Sequence, residues 1–218
     1  MHRRSVAAFS WLIVAVLPFA AWGASQAQQE FQAVLDCKTD WVRGQKLFDT
    51  CAACHSSNGA GASDGTVPAI AAQHFRVIVR ELVDFRHDRR WDERMAHFTN
   101  DHHLNGVQDI ADVAAFVSQL PVPPPSHRSD VHEKRGAEIY ARLCGSCHGA
   151  NAEGDNLKGY PRLAGQHYEY LLDQLRNAVG DRRPEFEPKH IRLLKSVQRS
   201  ELDAVADYLS SLGPSGAH

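Results

Sequence analysis

The pentapeptide Cys51-Ala52-Ala53-Cys54-His55 recurs as Cys144-Gly145-Ser146-Cys147-His148, and this repeated Cys-x-x-Cys-His constrains the chain more than any other feature. Two thiols three positions apart can reach the two vinyl groups of one porphyrin, and the histidine that follows is then held against the iron as an axial ligand. Two other chemistries use closely spaced cysteines. Zinc would have to recruit ligands across two distant motifs, and a redox-active Cys-x-x-Cys normally follows a strand in a βαβ unit, which this sequence lacks. The spacing therefore predicts two covalently bound haems c, tethered by Cys51, Cys54, Cys144 and Cys147, with His55 and His148 as proximal ligands.

Covalent haem attachment goes with export, and the first 27 residues read as a secretory signal. His2, Arg3 and Arg4 give a positive start, Val6 to Ala21 an apolar run, and Ala24-Ser25-Gln26-Ala27 a small-residue cleavage site. The apolar run is short and broken by Pro18, which argues against a retained span, and no later segment is long and apolar enough to cross a bilayer. A periplasmic protein without stable membrane insertion after cleavage is expected. The chain has 24 Lys and Arg against 26 Asp and Glu; losing Arg3 and Arg4 and gaining haem propionates both make it more acidic. That balance argues against a nucleic-acid partner.

Pro121-Val122-Pro123-Pro124-Pro125-Ser126 cannot continue a helix and favours an extended spacer. It divides the mature chain into a first domain at 28–120, a linker at 121–128 and a second domain at 129–213. Each is small enough for a buried porphyrin to supply much of the apolar centre.

The two domains are copies. Adding 93 to a residue number maps the first onto the second without a gap from Cys51 to His97. Asn58 and Gly61 fall on Asn151 and Gly154, Pro68 on Pro161, Gln73-His74-Phe75 on Gln166-His167-Tyr168, Leu82 on Leu175, and Asp88-Arg89-Arg90 on Asp181-Arg182-Arg183. Ahead of each motif a helix is predicted, Trp41 to Thr50 capped by Asp40 and Val131 to Leu143 capped by Ser129 or Asp130. These helices carry Gly44 with Phe48, and Gly136 with Tyr140. Each domain closes on an amphipathic helix, with one stripe of Ile110, Val113, Ala114 and Val117 and another of Leu202, Val205, Ala206 and Leu209. Ser200 with Asp203 reads as a capping pair for the last helix, and Phe116 and Tyr208 take matching places.

A helix bearing glycine and an aromatic, then Cys-x-x-Cys-His, a loop proline and a final helix with its own aromatic resembles class I cytochrome c. Two such domains in tandem, with Leu163-Ala164-Gly165-Gln166 followed by Tyr170-Leu171, are similar to the two-domain dihaem cytochrome c-four group. The resemblance covers residues 40 to 212. It implies an all-α fold of two tandem class I cytochrome c domains, each wrapped around one covalent haem, with the first and last helices crossing at the glycine. It also implies that Pro68 and Pro161 shape the haem pocket, where the family uses a backbone carbonyl to orient the proximal imidazole; plain turn prolines are the other reading.

Members of that family normally place methionine on the far side of the iron, and here the sequence departs from them. Its two methionines are Met1 and Met95, so the second domain has none. Counting back from Tyr208, the family's methionine position falls on His190, and the 93-residue repeat carries His190 back to His97. Both haems are accordingly expected to be bis-histidine, His55 with His97 and His148 with His190. Met95 is the competitor in domain one, where a two-residue shift in the loop would restore His/Met ligation. Imidazole in place of methionine lowers the potential, so a low-potential relay is expected.

Of the remaining residues, His74 and His167 read as surface or supporting positions. Arg89, Arg90, Arg182 and Arg183 are candidates to pair with propionates. Cys37 is the unpaired cysteine and reads as a free or intermolecular thiol, with a thiolate ligand as the other option. A six-coordinate iron has no vacant site, which favours an electron carrier between a redox donor and acceptor over an enzyme. The alternatives are a dihaem enzyme, such as a thiosulfate dehydrogenase or peroxidase with one displaceable ligand, and a subunit of a larger oxidoreductase. A pyridine-haemochrome assay is expected to give two haems per chain, and one after Cys144→Ala with Cys147→Ala; two in that double variant would contradict the assignment.

Overall fold

The structure, a computed structural model, describes residues 19–125 and 133–213. The first domain contains α1 (Phe19–Leu35), α2 (Trp41–His55), α3 (Phe75–Arg86), α4 (Glu93–Thr99) and α5 (Val107–Gln119). The second contains α6 (Glu133–Leu143), α7 (Gly145–His148), α8 (Tyr168–Val179), α9 (Pro188–Lys195) and α10 (Arg199–Ser211). No strand occurs among the described residues, only an isolated bridge between Asp155 and Tyr160. The fold is all-α, as expected.

Both domains are organised by a helix crossing that only glycine permits. A Cβ on Gly44 would sit 2.0 Å from the Asp112 carbonyl oxygen, and one on Gly136 would sit 2.1 Å from that of Ala204. Backbone meets backbone at these points, so any side chain would force α2 from α5, or α6 from α10. The flanking aromatics fill the wedge beside the crossing. Phe116 packs on Trp41 and Phe48 at 5.2 Å in each case, and Tyr140 on Tyr208 at 5.6 Å. The predicted stripes of α5 and α10 are buried throughout.

Helix ends hold some surprises. Asp40 caps α2 as predicted, accepting the Arg43 N–H at 3.0 Å. Ser129 and Asp130 lie outside the described residues. The cap of α10 is corrected: the helix begins at Arg199, so Gln198 with Glu201 forms the capping box in place of Ser200 with Asp203. A buried carboxylate also clamps the first crossing. Asp112 accepts the Asp40 N–H (2.7 Å) and the Arg43 Nε (2.6 Å), tying the start of α2 to α5 with charge-assisted bonds.

Helix α1 runs through the predicted cleavage point after Ala27. Ala27, Phe31 and Val34 are buried in the first core. Phe31 lies 3.8 Å below the Arg80 guanidinium, and Glu30 pairs with Arg86 and, at 2.6 Å, with His87. Cys37 follows the helix, its thiol donating to the Ala33 carbonyl at 3.4 Å, and burial raises its pKa.

The duplication also exposes a strained carboxylate. Asp84 on α3 is 2 % exposed, and burial pushes its pKa up to about 6, with Arg89 at 3.5 Å only partly offsetting it. The matching residue in the second domain is Asn177, whose Oδ1 accepts from Arg182 Nε at 2.8 Å. A raised carboxylate pKa means that the folded state holds its proton more tightly than the unfolded chain. The associated stability is present below about pH 4 and lost as the pH climbs past about 6. Asp84→Asn is expected to stabilise the protein by up to about 3 kcal/mol at pH 7.5 and to gain nothing at pH 4, as read by chemical denaturation; equal effects at both pH values would contradict this.

Candidate functional site

Between the helices of both domains lies one continuous cavity of about 1080 Å³, lined mainly by apolar side chains. It is larger than the roughly 300–1,000 Å³ typical of pockets for one small ligand. All four motif cysteines and both motif histidines are on its wall. In each pair one thiol is drawn inward. Burial pushes Cys51 and Cys144 up to about 11, whereas Cys54 and Cys147 are exposed.

The proximal histidines are held in one tautomer by backbone. His55 Nδ1 lies 3.0 Å from the Pro68 carbonyl and His148 Nδ1 lies 3.1 Å from that of Pro161. With Nδ1–H donating to the carbonyl, the Nε2 lone pair is free to bind a metal. Burial lowers both histidine pKa values, which keeps the rings neutral. The returning loop needs a glycine. Gly61 and Gly154 have φ of +72° and +77°, and a Cβ on either would come within 2.5–2.6 Å of the backbone carbonyl carbon of Pro68 or Pro161. The repeated Asn-x-x-Gly is thus a device for bringing a carbonyl to the imidazole.

On the opposite wall the two domains differ. His190, in the first turn of α9, faces His148 with ring centroids 6.2 Å apart, and Phe186 stacks on it at 5.0 Å. Two metal–nitrogen bonds of about 2 Å, with the two ring radii, fill a gap of that size, so these residues fit an iron between them. Burial and then His148 lower the His190 pKa. In the first domain Met95 is on the cavity wall and His97 is not. The His97 ring instead packs against His103 at 4.7 Å and Phe98 at 5.1 Å. The reason is helical phase: residues two apart on a helix point about 200° apart, so α4 cannot turn both inward. Met95 is the third residue of α4 as His190 is the third of α9, because the loop before α4 is two residues shorter.

The seam between the domains was not anticipated, and it obeys the same repeat. The Ala69 N–H donates to Gln166 Oε1 (3.0 Å) while Gln166 Nε2 donates to the Ala69 carbonyl (2.7 Å). Arg162 and Gln73 exchange the equivalent pair at 2.9 and 3.0 Å. His74 Nε2 meets the Glu153 carbonyl at 2.8 Å and His167 Nε2 that of Ala60 at 2.7 Å. Each contact has a partner 93 residues away, so the interface is self-complementary in the manner of a twofold dimer.

Inside that seam, Arg90 reaches across to Tyr170 Oη (2.7 Å) and Gln174 Oε1 (3.0 Å) while pairing with Glu81. Arg183 binds Gln174 and Glu185, with Glu81 3.7 Å away. Burial alone would raise the pKa of Glu81, but Arg90 and Arg183 hold it below its ordinary value. Of the four arginines singled out in the sequence, Arg90, Arg182 and Arg183 line the cavity and Arg89 does not.

Comparison with known proteins agrees with this architecture. The cytochrome c family model matches residues 41–121 and again 133–213. The chain is 30 % identical over 179 residues to cytochrome c4 of Thiocapsa roseopersicina, covering 77 % of this chain and 89 % of that one. Reduced recombinant cytochrome c4 from Pseudomonas stutzeri superposes with a TM-score of 0.71 at 24 % identity, over 80 % of this chain and all of the other. The thiosulfate dehydrogenase TsdBA of Marichromatium purpuratum gives 0.66 at 26 % identity, over 80 % of this chain and 40 % of that one.

Replacing both Gln73 and Gln166 by alanine strips four hydrogen bonds from the seam and leaves their backbone partners unsatisfied, at about 1–3 kcal/mol per buried group. The double variant is expected to speed hydrogen exchange at the Ala69 and Arg162 amides and to separate the thermal unfolding of the two domains; unchanged exchange and a single transition would contradict the role given to these side chains.

Proposed function

The chain belongs to the cytochrome c family, in its two-domain cytochrome c4 group, and from that membership we propose a periplasmic electron carrier whose two haems are ligated differently. Cys51 and Cys54 hold one haem and Cys144 and Cys147 the other through thioether bonds. His55 with Met95 in the first domain, and His148 with His190 in the second, are the residues that would hold the iron. The observation that carries this reading is the contrast on the distal wall, where His190 faces His148 across the cavity while Met95 occupies the equivalent place in the first domain.

When bound, haem supplies a one-electron Fe(III)/Fe(II) couple whose potential follows its axial ligands. The protein does the rest. The Pro68 and Pro161 carbonyls fix the imidazole tautomers and increase their basicity. The apolar wall would exclude water, and Met95 and His190 would fill the side of each site opposite the proximal histidine, which favours transfer of electrons over binding of substrate. The self-complementary seam holds the two sites on the wall of one cavity, which favours transfer of an electron from one domain to the other. Thioether-softened His/Met ligation raises one potential and bis-imidazole ligation lowers the other, giving the relay a direction.

Export rests on the signal reading of Met1 to Ala27. Cleavage there leaves Gln28–Leu35 as a helical strap on the first domain, with Glu30, Phe31 and Val34 keeping their contacts. Part of TsdBA has this architecture, which supports a role in which a larger oxidoreductase delivers electrons to this chain.

Oxidised protein is expected to show a methionine-to-iron charge-transfer band in the far red from one haem and a low-spin bis-imidazole paramagnetic resonance signal from the other. Met95→Ala should abolish the band, and His97→Ala should leave it. A band absent from the wild type, with the bis-imidazole signal halved by His97→Ala, would instead make His97 the ligand. A high-spin or thiolate-ligated haem would favour an enzyme.

A further inference from the structure

The outer face of α9 is a row of positive charge. Lys189, Arg192 and Lys195 recur at three-residue intervals, Arg199 continues the row at the start of α10, and all four are exposed. The inward side of the same helix carries Ile191, the buried Leu194 and His190, which faces His148. The row therefore lies directly outside the distal wall of the second site, with Lys189 adjacent in sequence to the residue that closes it.

Local carboxylates neutralise only part of this charge. Glu187 pairs with Lys189 at 2.8 Å and Asp181 with Lys195 at 2.6 Å, while Arg182, next to Asp181, adds another exposed cation. Arg192 and Arg199 make no ion pair among the described residues. Domain one has no such row. There α4 has Arg94 as its one cationic Lys or Arg side chain, together with Glu93, and is flanked by Asp92 and Asp101. The whole chain is slightly net negative, at −2, so the row is a local concentration of positive charge.

An isolated lysine or arginine is a solvated surface group. A row of them spaced on one helical face, absent from the duplicated copy, and set over one redox site is different in kind. It orients an approaching acidic body and raises encounter rate without needing tight binding. We propose that the α9 face is the docking surface for a small acidic redox protein, which exchanges electrons with the second site. The inference rests on the carrier reading above. Each productive encounter with a copper acceptor moves one electron, oxidising Fe(II) to Fe(III) and reducing Cu(II) to Cu(I), with no bond made or broken.

The test uses reduced haem-loaded protein in stopped flow against three oxidants: an acidic plastocyanin, a basic mitochondrial cytochrome c, and ferricyanide. The variants are the triple substitution Lys189→Glu, Arg192→Glu, Lys195→Glu and its charge-keeping control Lys189→Arg, Arg192→Lys, Lys195→Arg. The expected results are a wild-type plastocyanin rate that falls steeply with salt, a drop of at least about tenfold in the charge-reversed variant at low ionic strength, and a wild-type rate in the control. The rate with basic cytochrome c should not fall in the charge-reversed variant. A plastocyanin rate that ignores salt and charge reversal, while ferricyanide still oxidises the protein, overturns the docking surface alone. A fall with ferricyanide but not with plastocyanin overturns it in favour of a small-anion site. No electron exchange with any oxidant overturns the carrier reading as well. Unchanged visible spectra of both haems in the variants establish that the fold is intact.

Discussion

The helices of each domain are arranged around a space as much as around one another, and the backbone crossing at one glycine keeps that space open. At Gly44 α2 meets α5, and at Gly136 α6 meets α10, main chain to main chain, and both motif histidines line the cavity between the helices. A domain of this size has little apolar interior of its own. Other glycines then prepare the cavity, since the loops at Gly61 and Gly154 bring a proline carbonyl to each imidazole.

Duplication explains the rest of the architecture. Because the copies are related by a constant offset, any residue that reaches across the seam is answered by its counterpart, and Gln73 with Gln166 makes four hydrogen bonds from one evolved contact. The copies differ at a few positions around the seam and the two sites. Glu81 faces Gln174, Asp84 corresponds to Asn177, and α4 with Met95 corresponds to α9 with His190 and its basic outer face. These differences leave the scaffold in place and alter the charge and the distal side chains of one half relative to the other.

Much of this was legible in the sequence because the chemistry is local. Cys-x-x-Cys-His, the glycines with their aromatics and the stripes of α5 and α10 each lie within one turn or one helix, and all take their expected places. What escaped were relations across the chain. The polar seam made by Gln73, His74, Gln166 and His167 carries no signature beyond the repeat itself, and α1 merges with a segment whose composition speaks for export. The gapless repeat points to His97 while Met95 lines the cavity, since a shift of two residues in a loop leaves no mark on an alignment anchored by Asp88-Arg89-Arg90. Only the helical phase of α4 separates Met95 from His97.

The difference in distal ligation is the claim on which direction of electron flow depends. A spectroelectrochemical titration that follows each haem separately tests it most directly. Two one-electron steps separated by on the order of 0.1 V or more, within the roughly 0.8 V range that axial ligands command, with the methionine-ligated haem reduced first, are the result predicted here. Two superimposed steps at low potential, with neither haem showing methionine ligation, would contradict it.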